Sequence, residues 1–332
     1  MTAKAGMSRK AGERRGRSGR VRRWFLLATV AVLVSVVIAT LHGCAGWIAH
    51  SIVDAPNAGH VMYASGDAPP SQLDRLGVSK QLRVNVGPPD ASLSVWIVDP
   101  ERNSGSPRAT VLVLHGIRDD KRSQVSLGHS LAELGYRAVL IDLRGHGRSS
   151  GDWLTYGVVE SRDISQLLDF LSNRQLLAGP VGAIGSSYGG AVAIQTAAID
   201  IRIKAVVAIA AFTSMPDVIP EYARQYTGSW LVSQRQLDNG IEEAGRIAGF
   251  DPSDASPLRA IQRTNAHVLL IHGTRDQYIP YQQSEQLYEA APDHSELMLL
   301  EDEDHISIMS DREGKIAKAW AAWFERYLIP AD

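Results

Sequence analysis

The chain has 332 residues, 45% hydrophobic and 21% charged, with a formal net charge of −2, the make-up of an ordinary globular protein rather than a disordered one. Residues 1–23 carry nine basic side chains against Glu13 alone, a charge of +8, which leaves −10 on the remainder and no electrostatic footprint for nucleic acid. Cys44 is the single cysteine, so an intrachain disulfide is excluded, and a core of this size needs none.

After the basic tail (residues 1–23), Trp24–Leu41 is an uncharged run of 18 residues, within the length that crosses a bilayer. Arginines precede it and are absent just after it, so the basic end is expected in the cytoplasm and the body outside. Residues 24–44 read either as an uncleaved transmembrane anchor or as a lipoprotein signal. Leu41-His42-Gly43-Cys44 resembles a lipobox, with His42 an unusual occupant, and no A-x-A-like site marks ordinary cleavage. Arg22-Arg23-Trp24-Phe25-Leu26 resembles a twin-arginine export motif, although Val21 stands where Ser or Thr is usual. The expected location is extracytoplasmic and membrane-held, periplasmic or cell-surface in a bacterium.

Residues 45–78 mix Gly, Pro, Ala and Ser without a sustained period and read as a partly ordered spacer. Beyond them, Gln81–Val86 and Leu93–Val98 alternate apolar and polar, as antiparallel strands joined across Gly87–Asp90 should. Six short β-branched runs follow at Val111–Leu114, Ala138–Ile141, Val181–Ile184, Ala205–Ile209, Val268–Ile271 and Leu297–Leu300, the pattern of strands covered on both faces. Helical periods separate them at Ser126–Leu134, Val158–Leu171, Ala191–Ala198, Gln283–Ala290 and Arg312–Leu328. Trp320, Trp323, Phe324 and Tyr327 share one face of the last. Alternating strands and helices predict a mostly parallel eight-stranded sheet flanked by helices over residues 79–330. One interval is too long for a simple crossover. Its surplus, at about 212–264, holds Tyr222, Tyr226, Trp230, Leu231 and an amphipathic stretch over Ile241–Phe250, and predicts a small helical cap.

Gly185-Ser186-Ser187-Tyr188-Gly189 has the form G-x-S-x-G between a strand and a helix. A nucleophile on so sharp a turn needs neighbours without a Cβ, and only Ser187 has glycine at both −2 and +2. A serine hydroxyl attacks once a base takes its proton, and the base must be oriented by an acid. Asp276, in His272-Gly273-Thr274-Arg275-Asp276, follows one strand; His305, at the end of Glu301-Asp302-Glu303-Asp304-His305, follows the next. Both are predicted at the strand ends where Ser187 lies. Backbone N–H groups of Tyr188 and of Ile117, after His115-Gly116, are the expected oxyanion donors. The acids before His305 fit no EF-hand spacing, so neither metal nor cofactor is expected.

Four motifs in order, His115-Gly116, Asp142-Leu143-Arg144-Gly145-His146-Gly147-Arg148-Ser149, the turn at Ser187 and His272-Gly273…Asp276…His305, resemble the α/β-hydrolase superfamily over Gln81–Leu328. The chain is also similar to membrane-associated bacterial hydrolases of esterase-like or serine-aminopeptidase-like type. The resemblance implies the α/β-hydrolase fold and cofactor-free hydrolysis through an acyl-enzyme, with Ser187 as nucleophile. The expected substrate is a carboxylic ester with a small to medium acyl group, because the cap is modest and no long lid is present. Two alternatives stay open: a peptidase on the same three residues, with Glu221 as one candidate to hold a substrate amine, and a non-catalytic binding module on a hydrolase scaffold. Fold alone does not decide among them.

Overall fold

The computed structural model of the protein describes residues 45–57, 67–101, 105–227, 232–311 and 313–329. The apolar run Trp24–Leu41 and Cys44 lie outside them, as do Trp230 and Leu231. Among the described residues no helix is long and apolar enough to cross a membrane.

Eight strands form one sheet: β1 (Lys80–Val86), β2 (Ala91–Val98), β3 (Thr110–Leu114), β4 (Arg137–Ile141), β5 (Val181–Ser186), β6 (Ile203–Ile209), β7 (His267–Gly273) and β8 (Ser295–Leu300). Their order is β1-β2-β4-β3-β5-β6-β7-β8. β1 pairs antiparallel with β2, and β2 with β4; every later pair is parallel. The central strands β3 and β5 are buried on both faces, which explains runs of Val, Leu and Ile where a half-exposed strand would alternate.

Helices cover both faces. In chain order they are α1 (residues 45–53), α2 (Pro70–Arg75), α3 (Val125–Glu133), α4 (Glu160–Asn173), α5 (Tyr188–Ile199), α6 (Met215–Thr227), α7 (Gln234–Ala248), α8 (Pro257–Ile261), α9 (Gln282–Ala290) and α10 (Lys315–Leu328). One core layer joins α4 and α5 to the sheet, and the other packs Trp320, Trp323 and Phe324 of α10 against the opposite face. Helices α6 and α7 occupy the long interval before β7 that was expected to hold a cap. Ser233 and Gln236 close a capping box at the start of α7, which satisfies donors a helix N-terminus otherwise leaves open.

One stretch differs from the expectation of a spacer. Residues 45–57 are a helix and a turn built into the domain: Ile48, Ala49, Ile52 and Val53 are buried in the main core, and Asp54 bridges Trp153. The period of four apolar positions is too short to stand out between Gly46 and Pro56, so only the tertiary contact reveals it.

The loop after β4 is held by buried charge. The Asp142 carboxylate accepts from the Lys121 N–H at 2.8 Å and the Arg148 N–H at 2.8 Å and pairs with the Lys121 ammonium. Lys121 also lies over the Trp96 ring, 4.7 Å from its centroid, and donates to Ser94 Oγ at 2.9 Å. Burial pushes the Lys121 ammonium pKa down, opposed by the Asp142 charge. Gly147, at φ 50°, has no room for a Cβ, which would stand 2.4 Å from the Asp142 carboxyl carbon. Nearby, Arg144 grips Asp163 with two bonds of 2.7 and 2.8 Å. Removing one partner of such a pair leaves an uncompensated charge in the core. Asp142→Ala and Lys121→Met are therefore each expected to cost about 3–5 kcal/mol of unfolding free energy, and the double variant Asp142→Asn/Lys121→Met, which leaves no charge unpaired, clearly less than the sum of the two. Urea denaturation of the single and double variants checks this, and strictly additive losses would contradict it.

Candidate active site

The tight turn between β5 and α5 puts Ser187 at φ 52°, ψ −116°, a region that L-residues seldom occupy and that clusters at functional sites. Its neighbours show why glycines are required. A Cβ on Gly185 would fall 2.4 Å from the carbonyl carbon of Gly189, and one on Gly189 would fall 2.3 Å from the Leu114 carbonyl oxygen. Backbone closes on backbone on both sides, so no side-chain shift relieves either clash. The Ser187 N–H is held by the Ile209 carbonyl at 2.7 Å.

Ser187 lines a cavity of about 570 Å³, with Gly116, Ile117, Tyr156, Tyr278 and His305 among the residues around it. The volume falls within the usual span of small-molecule sites. Arg118 and Tyr156, also on its wall, share positive φ with Ser187, so strained backbone concentrates here. Helix α1 supplies Trp47, Ile48, Ser51 and Ile52, and the stretch from α6 to α7 supplies Ile219, Tyr222, Ala223, Val232 and Leu237.

Asp276 follows β7 and His305 follows β8, and the structure joins them. His305 Nδ1 lies 2.6 Å from Asp276 Oδ2, while Asp276 Oδ1 accepts the Tyr278 and Ile279 N–H groups, each at 2.9 Å. Burial alone would raise the Asp276 pKa. Hydrogen bonds from His272 and His305, the His305 charge and the Ile279 N–H outweigh it, so the carboxyl is held well below the usual carboxylate range. A carboxylate that stays ionised and fully engaged fixes the ring that faces it. Tyr278 packs on the same ring at 5.4 Å. His305 and Ser187 meet in one cavity. The rival carboxylates do not join: Asp302 pairs with Arg275 at 2.5 Å, and Asp304 accepts the Ile306 and Ser307 N–H groups at 2.8 Å.

Of the two expected oxyanion donors, Tyr188 follows the serine in the chain and Ile117 lines the same cavity. Gly116 presents its Cα to Ser187, since a Cβ there would sit 3.8 Å from the serine Cβ, and Ile117 lines the cavity directly after it. Tyr188 begins α5, and its side chain turns away into the core, where the hydroxyl donates to Glu160 at 2.8 Å and accepts the Tyr156 N–H at 3.2 Å. Glu160 also accepts the Thr155 and Gly157 N–H groups, each at 2.9 Å. His115 is structural: its Nε2 accepts the Leu143 N–H at 3.1 Å, so Nδ1 carries the proton and donates to the Gly116 carbonyl at 2.7 Å. That bond braces the backbone just before Ile117. Among the described residues no cluster of side chains suits a metal ion.

Two contributors have roles that the motifs do not give. His272 is buried and bonded to Ser284 Oγ at 2.6 Å and the Ile279 carbonyl at 2.9 Å, with Nε2 also 3.3 Å from Asp276 Oδ2, so it holds the Asp276 loop in place. The α1 side chains form a wall of the cavity from 140 residues upstream of Ser187. Their one sequence signal is the buried period Ile48, Ala49, Ile52, Val53.

Comparison with known proteins follows the same lines. The model of the prolyl oligopeptidase family matches residues 123–330. Among curated relatives, YqkD of Bacillus subtilis is 27% identical over 200 residues, covering 59% of this chain and 64% of that protein. The lipase LipV of Mycobacterium tuberculosis is 32% identical over 149 residues, covering 45% of this chain and 54% of its own. The chain thus spans less than two thirds of these relatives. Among solved structures, the Pyrococcus furiosus esterase Pf2001 superposes with a TM-score of 0.61 at 21% identity, over 79% of this chain and 96% of that one, a likeness of fold. With an eight-stranded sheet of that architecture and a family match over residues 123–330, this chain belongs to the prolyl oligopeptidase family, serine hydrolases of the α/β-hydrolase superfamily.

Proposed function

We propose that the protein is a carboxylic ester hydrolase acting on small to medium acyl substrates through an acyl-enzyme. Ser187 attacks the ester carbonyl while His305 takes its proton. Asp276 orients His305 and stabilises the imidazolium, and the Ile117 and Tyr188 N–H groups hold the oxyanion. His305 then protonates the departing alcohol, and a water activated by the same imidazole frees the acid. The observation that carries this reading is the cavity shared by Ser187 and His305, with the His305–Asp276 bond of 2.6 Å behind it. Its wall of Ile48, Ile52, Ile219 and Leu237 suits an acyl chain better than a peptide backbone, and LipV, a relative, is a lipase by name.

A peptidase is the second reading, favoured by the family match. The cap acid Glu221, a candidate to hold a substrate amine, pairs with Arg224. Asp119, on the cavity wall, already accepts from Ser123 at 2.6 Å. Both facts weigh towards the ester.

A fluorophosphonate probe is expected to label the protein and p-nitrophenyl esters to turn over faster than aminoacyl-anilides, with Ser187→Ala abolishing both while the circular dichroism is unchanged. Labelling that survives the substitution would falsify the assignment, and preference for anilides would favour the peptidase.

Asp276 also makes a pH-dependent contribution. Its folded-state pKa lies below the unfolded value of about 3.9. The stability it contributes is thus complete above that value and lost as pH falls through the folded pKa. Asp276→Asn is expected to be less active and to lose less stability between pH 5 and pH 3, by up to about 1.4 kcal/mol per pH unit in slope. Parallel urea titrations of the two forms would remove the claim.

We also infer that the body is held outside the cytoplasm at a membrane. The support is the apolar run Trp24–Leu41 behind nine basic residues. Intact mass of the mature protein is expected to show either residues 1–44 retained or a lipid on Cys44. A mature chain lacking both overturns the inference.

A further inference from the structure

Helix α1 is fastened to the body along its length. Ile52 accepts from the Tyr156 hydroxyl at 3.1 Å, Leu154 donates to the Val53 carbonyl at 2.8 Å, and Ala55 donates to the Asp152 carbonyl at 3.1 Å. Beyond its end, Asn57 binds the Ser149 carbonyl at 2.7 Å. From above, the cap closes on it so tightly that a Cβ on Gly240 would lie 2.3 Å from an Ile48 methyl. The helix is therefore part of the rigid domain and cannot act as a tether.

Its position in the chain gives this consequence. Ala45 stands four residues beyond Leu41, and a chain spans at most about 3.6 Å per residue, so α1 starts within roughly 14 Å of the end of the apolar run. Were Cys44 lipidated instead, the lipid would sit next to Ala45. Either way, the domain is held at the end of α1 that carries Trp47, a residue on the cavity wall.

The rim of that cavity is apolar and exposed. Trp47 is 67% exposed, Ile306 66% and Met309 42%, and all three line the opening. Single exposed apolar side chains are ordinary, but a cluster around one opening marks an interaction surface. Indole rings favour the membrane–water interface, where one edge is apolar and the other wet. Arg118, exposed at the same opening, forms no ion pair among the described residues and is placed to meet lipid phosphates.

We propose that this rim of Trp47, Ile306 and Met309 seats on the bilayer surface, so that the cavity opens onto the head-group layer and takes its acyl ester from the membrane. The proposal rests on the reading of Ser187 as nucleophile and of the N-terminal segment as a membrane attachment. It narrows the substrate class to acyl esters carried by membrane lipids or partitioned among them. Ile48, Ile52, Ile219 and Leu237 line the same cavity as Ser187, so an acyl chain entering from the bilayer would find apolar side chains to pack against.

The test uses the full chain in phosphatidylcholine–phosphatidylglycerol vesicles. A decanoyl ester is offered as a soluble glycerol ester and, separately, on a short link to the head group of a two-chain lipid that stays in its vesicle. Both are expected to be cleaved, with the double variant Trp47→Ser/Met309→Ser slowing cleavage of the lipid-linked ester at least about tenfold more than that of the soluble one, through the lost apolar contact. Lipid chains brominated near the head group are expected to quench tryptophan fluorescence, and Trp47→Phe to remove part of that quenching. Cleavage of the soluble ester alone, with quenching untouched by Trp47→Phe, overturns the proposal. If neither ester is cleaved and the fluorophosphonate does not react, the hydrolase reading fails, and the proposed route for substrate fails with it.

Discussion

The close approach of backbone to backbone around Ser187 constrains everything else in this fold. A side chain with φ near 52° is tolerated only where surrounding packing over-determines it. Here Gly185 lies on Gly189, and Gly189 lies on the carbonyls of Leu114 and His115. The turn therefore requires β3 and β5 to be adjacent, which they are, in parallel register from Thr110↔Val181 to Leu114↔Gly185. With those strands adjacent, the loops after β3 and β5 meet, and Gly116 comes beside the serine. Parallel neighbours β6, β7 and β8 then deliver Asp276 and His305 at the same edge. One steric condition in five residues thus propagates through strand pairing to the whole site.

Polar groups buried beneath the site keep this geometry rigid. His115, bonded to Leu143 and Gly116, links the loop after β3 to the loop after β4. Burial, reinforced by the neighbouring His115, pushes the His146 imidazole down to about 3, so it stays neutral in the core, where its ring packs on Tyr188 at 5.8 Å. Glu160 gathers Thr155, Gly157 and Tyr188 onto one carboxylate. Such groups are costly to bury alone and far less so when paired; of these, only His146 Nε2 is left without a hydrogen-bond partner. The loops that carry the candidate site residues are consequently fastened from below, while Ser187, Ile117 and His305 face the cavity.

Much of this was legible in the residues. Six apolar runs correspond to β3–β8 because a strand covered on both faces has no polar alternation to blur it, and the two alternating segments correspond to the antiparallel β1 and β2. The G-x-S-x-G turn is legible because its glycines answer a local steric demand. Less legible was α1, whose apolar period is only nine residues long and whose partners, Tyr156, Leu154 and Gly240, lie 100 to nearly 200 positions away. His272 was equally opaque: a histidine after a strand can touch substrate or brace a loop, and only its bonds to Ser284 and Ile279 tell which.

The residues by themselves determined the strand and helix order, the serine that sits on the turn, and the uneven charge of tail and body, since each follows from local period, local sterics or simple counting. The tertiary structure alone decided what surrounds that serine. Which of three carboxylates near the C-terminal loops meets His305, which helix walls the cavity, and which apolar side chains end at its rim are all set by contacts between distant segments. Such contacts leave no period in the chain, because the energy that selects them belongs to the assembled core and to no single stretch of it.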